Sequence, residues 1–194
     1  IDGYIDSVRV SKVARYSSGF TPSGSAFVSD GDTLSLIDFE NGLTDTINGV
    51  TWASPSRGCA VIAPTAKFGS SMVEVNSYSF PRMWVGNVNY VAAPTWTVEF
   101  FLMTVNIGND TNSLYNPTIE SKNGLLRLTL LSPSLLPNLY VNGTWTTSST
   151  PIPYGQWVHL ALVFDGSAYK LYTDGALNFS VSSSINLWTD LQNI

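Results

Sequence analysis

The run Gln156–Phe164 constrains this chain more than any other stretch. Trp157, His159, Ala161 and Val163 alternate with Val158, Leu160, Leu162 and Phe164, so both faces of an extended strand are apolar. A strand that is wet on neither face belongs in the middle of a sheet, with other protein layered on both sides. Turn signals punctuate the residues after it: Asp165-Gly166 leads into Tyr169–Thr173, and Asp174-Gly175 leads into Ala176–Val181. Asn142-Gly143 likewise separates Asn138–Val141 from Thr144–Thr147, and Lys122-Asn-Gly124 precedes the apolar stretch Leu125–Leu131. A two-residue type I′ hairpin turn needs positive φ at both positions, which Asn-Gly and Asp-Gly supply. Short strands separated by turns every eight to twelve residues or so indicate a β-sandwich rather than alternating strands and helices. No segment keeps helical spacing over three turns; Ser11–Tyr16 and Ser184–Leu191 have room for a single helical turn.

The bulk properties agree. A chain of 194 residues holds one large all-β domain or two small ones and buries roughly 70% of its unfolded surface. Cys59 is the single cysteine, so no intrachain disulfide forms and packing with sheet hydrogen bonds must carry the fold. Only 12% of residues are charged against 44% hydrophobic, which leaves Ser, Thr and Asn to cover much of the surface. A net charge of −5 and a pI near 4.6 exclude the clustered Lys and Arg that bind phosphate backbones, so nucleic acid is not a partner. The longest apolar runs are interrupted by Glu99, Arg127 and Pro133, short of the roughly 18 residues of a spanning helix, so no membrane insertion is expected. The first residues carry neither Met nor a basic n-region, which reads as a fragment or processed piece.

The first ten residues, Ile1-Asp-Gly-Tyr-Ile-Asp-Ser-Val-Arg-Val10, continue through Ala14-Arg-Tyr16 to Phe20-Thr-Pro22. That string resembles the C-terminal signature of laminin-G-like jelly rolls of the concanavalin A type, common in phage tail and virion proteins and in bacterial surface proteins. Thr33–Gly42 resembles the family's opening strand, Ala66–Val75 its second landmark and Trp96–Phe101 its central strand. Gln156–Val163 and Tyr169–Gly175 resemble its late hairpin. The family order is present with its last piece moved to the front, Met103–Tyr154 carries no landmark, and no second Gly-Tyr-Ile-Asp strand follows Trp188. The resemblance implies an all-β, concanavalin A-like jelly-roll sandwich of two antiparallel sheets with a displaced N-terminal strand. Its parts are residues 1–16 as that strand, 17–32 as a linker and 33–194 as the laminin-G-like jelly roll.

Sixteen linker residues extend to about 50 Å at roughly 3.3 Å each, whereas a compact domain of this size is about 40 Å across. The displaced strand can therefore close its own domain, fill a neighbour's gap by exchange, or belong to a preceding repeat. An unfilled gap would expose a sheet edge and part of the core. One empty strand position is expected at the sheet edge after Trp188, with Tyr4, Ile5, Val8 and Val10 as the residues that fill it.

Glucanase relatives place Glu and Asp alternately on one strand, since a retaining glycosidase needs two carboxylates about 5 Å apart. No Glu-x-Asp-x-Glu run is present; Glu99 and Glu74 are each alone in their strands, and Asp38 and Glu40 read as solvated or turn-capping. His159, the only histidine, lies inside the doubly apolar strand, where the family places a packing residue rather than a general base. No Gly-x-Ser-x-Gly elbow or Gly-x-x-x-x-Gly-Lys loop occurs, and Cys59 reads as a buried small hydrophobe. No catalytic residues are assigned and no enzyme activity is expected.

No cofactor is required by these motifs, while calcium, bound by many laminin-G and lectin relatives, stays open. Its candidate oxygens are at Asp30-Gly-Asp32, Asn106–Asn112, Asp165 and Asp174, where turns already account for the Asp-Gly pairs. Trp52, Trp96 and Trp157 fall in apolar strands and read as core. Trp84, Tyr90, Tyr115, Trp145 and Trp188 fall in polar stretches, with Arg82, Asn87, Asn89, Asn109 and Asn112 nearby. Of these, Trp84, Tyr90, Asn109, Tyr115 and Trp145 are the candidate carbohydrate-binding residues, the aromatics stacking on sugars with polar tips to water; the same aromatics would equally serve subunit contacts. The resemblance implies a non-enzymatic structural or adhesion module of a virion, in a tail, fibre or capsid-decorating protein, that binds host-surface glycans. Its partners would be other virion subunits or neighbouring copies in a homo-oligomer. The alternative is the carbohydrate-binding domain of a bacterial secreted adhesin, extracellular or on the cell surface.

Overall fold

The computed structural model describes residues 2–51, 59–62, 66–75, 93–106, 117–121, 125–131, 134–187 and 191–193. The strands are β1 (Asp2–Ser11), β2 (Thr33–Ile37), β3 (Cys59–Ile62), β4 (Met72–Val75), β5 (Trp96–Asn106), β6 (Pro117–Ser121), β7 (Leu126–Leu131), β8 (Leu136–Val141), β9 (Thr144–Thr147), β10 (Trp157–Phe164), β11 (Ala168–Thr173), β12 (Ala176–Ser182) and β13 (Leu191–Asn193). They form two antiparallel sheets, one ordered β12-β11-β10-β5-β1-β4-β3 with β2 also paired to β1, the other ordered β13-β6-β7-β8-β9. Among the described residues there is no helix, and neither 11–16 nor 184–187 forms a helical turn.

The doubly apolar run is β10, which lies between β11 and β5. Val158, Leu160, Leu162 and Phe164 enter the core between the sheets, together with Val98, Phe100 and Leu102 of β5 and Leu126, Leu128 and Leu130 of β7. The β8–β9 and β11–β12 turns have positive φ at both central residues, Asn142 (43°) with Gly143 (97°) and Asp174 (47°) with Gly175 (78°), as their sequences require. Trp96 is fully buried, its indole donating to Asn186 Oδ1 at 3.0 Å.

β1 does not sit at an edge. One side pairs with β5 from Asp2↔Asn106 to Ser11↔Thr97, and the other is shared end to end by β4 (Gly3–Ile5) and β2 (Val8–Ser11). The expected edge position after Trp188 is thus replaced by an inner one. Ile5, Val8 and Val10 are buried in the main core, while Tyr4 is half-buried. Strict alternation from Ile5 would turn Val8 away from the core. A bulge between Asp6 and Arg9, with Ser7 at φ 50°, corrects the phase so that all three aliphatics point inward. Gly3 is required by close approach: a Cβ there would lie 2.5 Å from the Met103 carbonyl oxygen.

Residues 17–32 do not act as a spacer. The Lys12 N–H donates to the Asp32 carbonyl at 3.0 Å, closing residues 12–32 into a loop that leaves β1 and returns to β2. The loop lies on the outer face of the larger sheet. Ala14, Tyr16 and Phe20 cover Ala161, Val163 and Tyr172, and Phe27 joins Leu36 and Phe101 with Phe68 and Trp157 alongside. The Ser/Gly/Pro-rich composition is that of a linker, but two phenylalanines anchor it.

Candidate functional site

Beneath this loop lies a sealed charged cluster. Glu99 Oε1 accepts from Arg9 Nε at 2.9 Å, and Oε2 accepts from the Tyr16 hydroxyl at 2.8 Å and pairs with His159 Nε2 at 3.0 Å. Glu99 is 0% and His159 1% exposed. Tyr16, Phe20, Phe27 and Phe101 surround the imidazole at centroid distances of 5.0–6.4 Å, and the Arg9 guanidinium stacks 4.6 Å from the Phe27 ring. Burial pushes the Glu99 carboxyl up, but the His159 hydrogen bond, the Arg9 charge and the Tyr16 hydroxyl outweigh it and hold the carboxyl below its usual range. Burial, then the Glu99 charge, pushes the Tyr16 phenol up. With an ionised acceptor opposite, Nε2 carries the imidazole proton, and Nδ1 has no partner. The cluster fastens the loop to the sheet.

Exposed aromatic surface lies elsewhere. Among the described aromatics, Trp145 (39%) and Tyr154 (41%) are the two exposed ones. Trp145 belongs to the β8–β9 hairpin, where the two-residue Asn142-Gly143 turn sets Tyr140 opposite Trp145 and Asn138 opposite Thr147. Because β7 pairs Arg127 with Tyr140 and Thr129 with Asn138, two rows cross the outer face of the smaller sheet: Arg127–Tyr140–Trp145 and Thr129–Asn138–Thr147. The inward neighbours Leu126, Leu128, Leu139 and Val141 bind this sheet to the core. The Tyr140 and Trp145 rings are 4.9 Å apart and tilted by 49°, and Arg127 Cζ is 6.0 Å from the Tyr140 ring. In the second row the Thr147 hydroxyl donates to Asn138 Oδ1 at 2.9 Å and that of Thr129 to the Asn138 carbonyl at 3.2 Å. Exposure rises toward β9, where Thr144, Trp145 and Thr147 are all open. An angled pair of rings beside a hydrogen-bonded polar row suits a ligand with both an apolar face and hydroxyl groups.

Of the candidate carbohydrate-binding residues, Trp145 is in this row. Trp84, Tyr90, Asn109 and Tyr115 lie outside the described residues, as do Trp52, Trp188, Arg82, Asn87, Asn89 and Asn112. Trp157, expected in the core, is half-buried on the outer face of the larger sheet against Phe101 and Phe27. Tyr140, Asn138 and Arg127 carry no motif of their own in the sequence, although the Asn-Gly turn fixes Tyr140 opposite Trp145 and alternation then places the other two.

Three of the carboxylates that are candidates for calcium, Asp30, Asp165 and Asp174, are engaged by protein groups. Asp30 pairs with Arg15 at 2.7 Å, and that hydrogen bond holds its carboxyl well below the usual range. Asp165 accepts from Ser167 and Ala168 and pairs with Lys170, and Asp174 accepts the His159 N–H. Residues 107–112 lie outside the described residues. Among the described residues no three His, Cys, Asp or Glu side chains form a metal-ligand group. Asp38 Oδ1 accepts the Glu40 N–H, and Glu40 caps the loop at Ser70 and Ser71.

Comparison with curated proteins gives no match. Among solved structures, the chain is similar to domain 4 of AbnA, a GH43 extracellular arabinanase from Geobacillus stearothermophilus, in complex with arabinotriose. The identity is 18% and the TM-score 0.54, over 79% of this chain and 76% of that one; likeness at this identity shows the fold. The family model described as the concanavalin A-like lectin/glucanases superfamily, Laminin_G_3, matches residues 83–193, more than half of the 194 residues. With the two-sheet sandwich, that match shows that the chain belongs to the concanavalin A-like lectin/glucanases superfamily.

Proposed function

We propose that this domain is a non-enzymatic carbohydrate-binding module whose sugar surface is the β9 end of the smaller sheet, around Trp145 and Tyr140. The observation that carries the reading is the exposed indole at 39%, tilted against Tyr140 beside the Asn138–Thr147 hydrogen bond. Trp145 supplies the apolar platform, and the exposed Thr147 is the polar group that orients hydroxyls, its own hydroxyl held by the buried Asn138. The superfamily includes lectins, and the similar arabinanase domain was solved with arabinotriose, which makes neutral oligosaccharides the first ligands to try. We assign the module to a virion appendage, a tail, fibre or capsid-decorating protein acting in host attachment, with neighbouring copies as partners; its low charge, 12%, suits a surface displayed in repeat. The likeness to a domain of an extracellular bacterial enzyme favours a second setting, a secreted or surface adhesin, with the same binding chemistry.

A glycan array followed by titration calorimetry tests the reading. The wild type is expected to bind at least one oligosaccharide at roughly millimolar Kd or tighter, and Trp145→Ala to weaken it by about tenfold or more, equivalent to about 1.4 kcal/mol. The melting temperature should hardly change, because Trp145 lies outside the core. Binding that is indifferent to Trp145→Ala would remove the site. Absence of glycan binding together with concentration-dependent oligomers would make the aromatics a subunit contact, and release of reducing ends would make the protein an enzyme.

A further inference from the structure

The Asn142-Gly143 turn, which sets the β8–β9 register, is also a chemically reactive dipeptide. An Asn side chain followed by Gly can close onto the main chain, because no Cβ shields the Gly nitrogen from the Asn Cγ. The chain has four such pairs, at 41–42, 48–49, 123–124 and 142–143, of which 123–124 lies outside the described residues. In two of the other three the reacting atoms are tied down. The Gly49 N–H donates to the Asp45 carbonyl at 2.9 Å, and Asn48 Nδ2 donates to the Leu34 carbonyl at 2.7 Å and to Asp45 Oδ2 at 2.8 Å. The Gly42 N–H donates to the Phe39 carbonyl at 3.2 Å. Asn142 and Gly143 are both exposed, and among the described residues no group hydrogen-bonds the Asn142 side chain or the Gly143 N–H.

The backbone at this turn is also free to rearrange. Asn142 is held at φ 43°, a left-handed conformation disfavoured for a residue with a Cβ. Its own N–H is anchored to the Leu125 carbonyl at 2.8 Å, so movement falls on ψ and on the Gly143 peptide. β9 ends its sheet and is exposed at Thr144, Trp145 and Thr147, which makes the hairpin tip a place where local opening takes little free energy. Opening is what the reaction needs, since it lets the Gly143 nitrogen swing onto Cγ. At Asn48 the same swing must first break three hydrogen bonds.

We propose that Asn142 is a site of spontaneous deamidation, a chemical clock that dismantles the adjoining Tyr140–Trp145 surface. The Gly143 nitrogen attacks Asn142 Cγ; the new N–C bond forms as the Cγ–Nδ2 bond breaks, and Nδ2 leaves as ammonia with the proton from the Gly143 N–H. Water then opens the imide. Opening at Cγ leaves aspartate, whereas opening at the Asn142 main-chain carbonyl carbon leaves isoaspartate, in which the chain runs through Cβ and Cγ. The extra backbone atom does not fit a two-residue type I′ turn. Val141↔Thr144 and Tyr140↔Trp145 are the first pairs beyond the turn, so they are the ones that shift. The accompanying loss of sugar affinity rests on the sugar reading above; the turn chemistry and the loss of the ring contact do not.

The test is to age the full chain at 37 °C and pH 7.4 and to map deamidation by mass spectrometry, with isoaspartate labelled by protein isoaspartyl methyltransferase. Deamidation at Asn142 is expected to run about tenfold or more faster than at Asn48 in the same sample. In the aged protein the NMR contacts between the Tyr140 and Trp145 rings are lost, those of the buried Trp96 are kept, and oligosaccharide affinity falls about tenfold. Asn142→Gly keeps a residue that accepts positive φ but has no amide to lose, so its ring contacts and affinity should survive the same ageing. Equal rates at Asn142 and Asn48, or ring contacts that persist once Asn142 has become isoaspartate, would overturn the proposal. Fresh protein that binds no sugar would remove the sugar reading alone, and the rate ratio and the ring contacts would still decide the clock.

Discussion

Deletion of residues 1–11 is expected to abolish cooperative unfolding of the sandwich. β1 is the ladder partner of β5 along its whole length, and β4 and β2 reach the larger sheet only through it. Its three core aliphatics, Ile5, Val8 and Val10, contribute about 1.5–3 kcal/mol each by burial. Their sum alone approaches the roughly 5–15 kcal/mol that separates a folded domain from its unfolded chain. The truncated chain would also present two raw strand edges, which favour aggregation. Circular dichroism and denaturant titration should therefore find no sharp transition. A truncated chain that still unfolds cooperatively near the wild-type midpoint would mean that β1 is dispensable. A gentler version is Gly3→Val, whose Cβ meets the Met103 carbonyl and must push β1 off β5.

Glu99→Ala is expected to cost about 3–5 kcal/mol, which for a chain of this length lowers the melting temperature by roughly 10 °C. The loss comes less from the pairs themselves than from the groups that stay behind. Arg9 keeps its charge without its partner, and the buried His159 ring N–H and the Tyr16 hydroxyl lose their acceptor. Tyr16, Phe20 and Phe27 sit on this cluster, so the 12–32 loop should lift with it, and protease cleavage within 17–26 should accelerate. Glu99→Gln keeps an acceptor and should lose less. The pH dependence has the same geometric origin. Glu99 is held below its ordinary value of 4.5, so its contribution is complete above about that pH and is lost as pH falls through the lower folded-state value. Asp30 and Asp165, also depressed, act in the same direction. Stability should therefore drop on acidification below about pH 4.5, and the drop should be shallower in Glu99→Gln; equal slopes in the two proteins would contradict this assignment.

How much of the fold is legible in the sequence depends on how far each signal reaches. Asn142-Gly143, Asp174-Gly175 and the doubly apolar β10 are local, and each is realised in the structure. Family order leads to the sandwich, and the Gly-Tyr-Ile-Asp string points to residues that do enter the core. Its place in the sheet is hidden because the bulge at Asp6–Arg9 breaks the alternation that marks an inner strand. The 17–32 stretch is hidden by composition: Ser, Gly and Pro read as linker, and only packing reveals that Phe20 and Phe27 hold it down. The pair Arg9–Glu99 joins residues ninety positions apart, beyond any local spacing. For the ligand surface, Trp145 is legible as an aromatic in a polar hairpin. Its partner Tyr140 comes from turn-set register, a step that needs strand pairing as well as residue type.

Whether the β8–β9 hairpin takes up sugar is tested most directly by following the indole N–H of Trp145 by NMR during oligosaccharide titration, with the buried indole of Trp96 as internal control. The predicted result is a saturable shift of the Trp145 resonance, with Tyr140 and Thr147 moving at the same apparent Kd and Trp96 unmoved. Saturable binding that leaves Trp145, Tyr140 and Thr147 unshifted would contradict the assignment of this face.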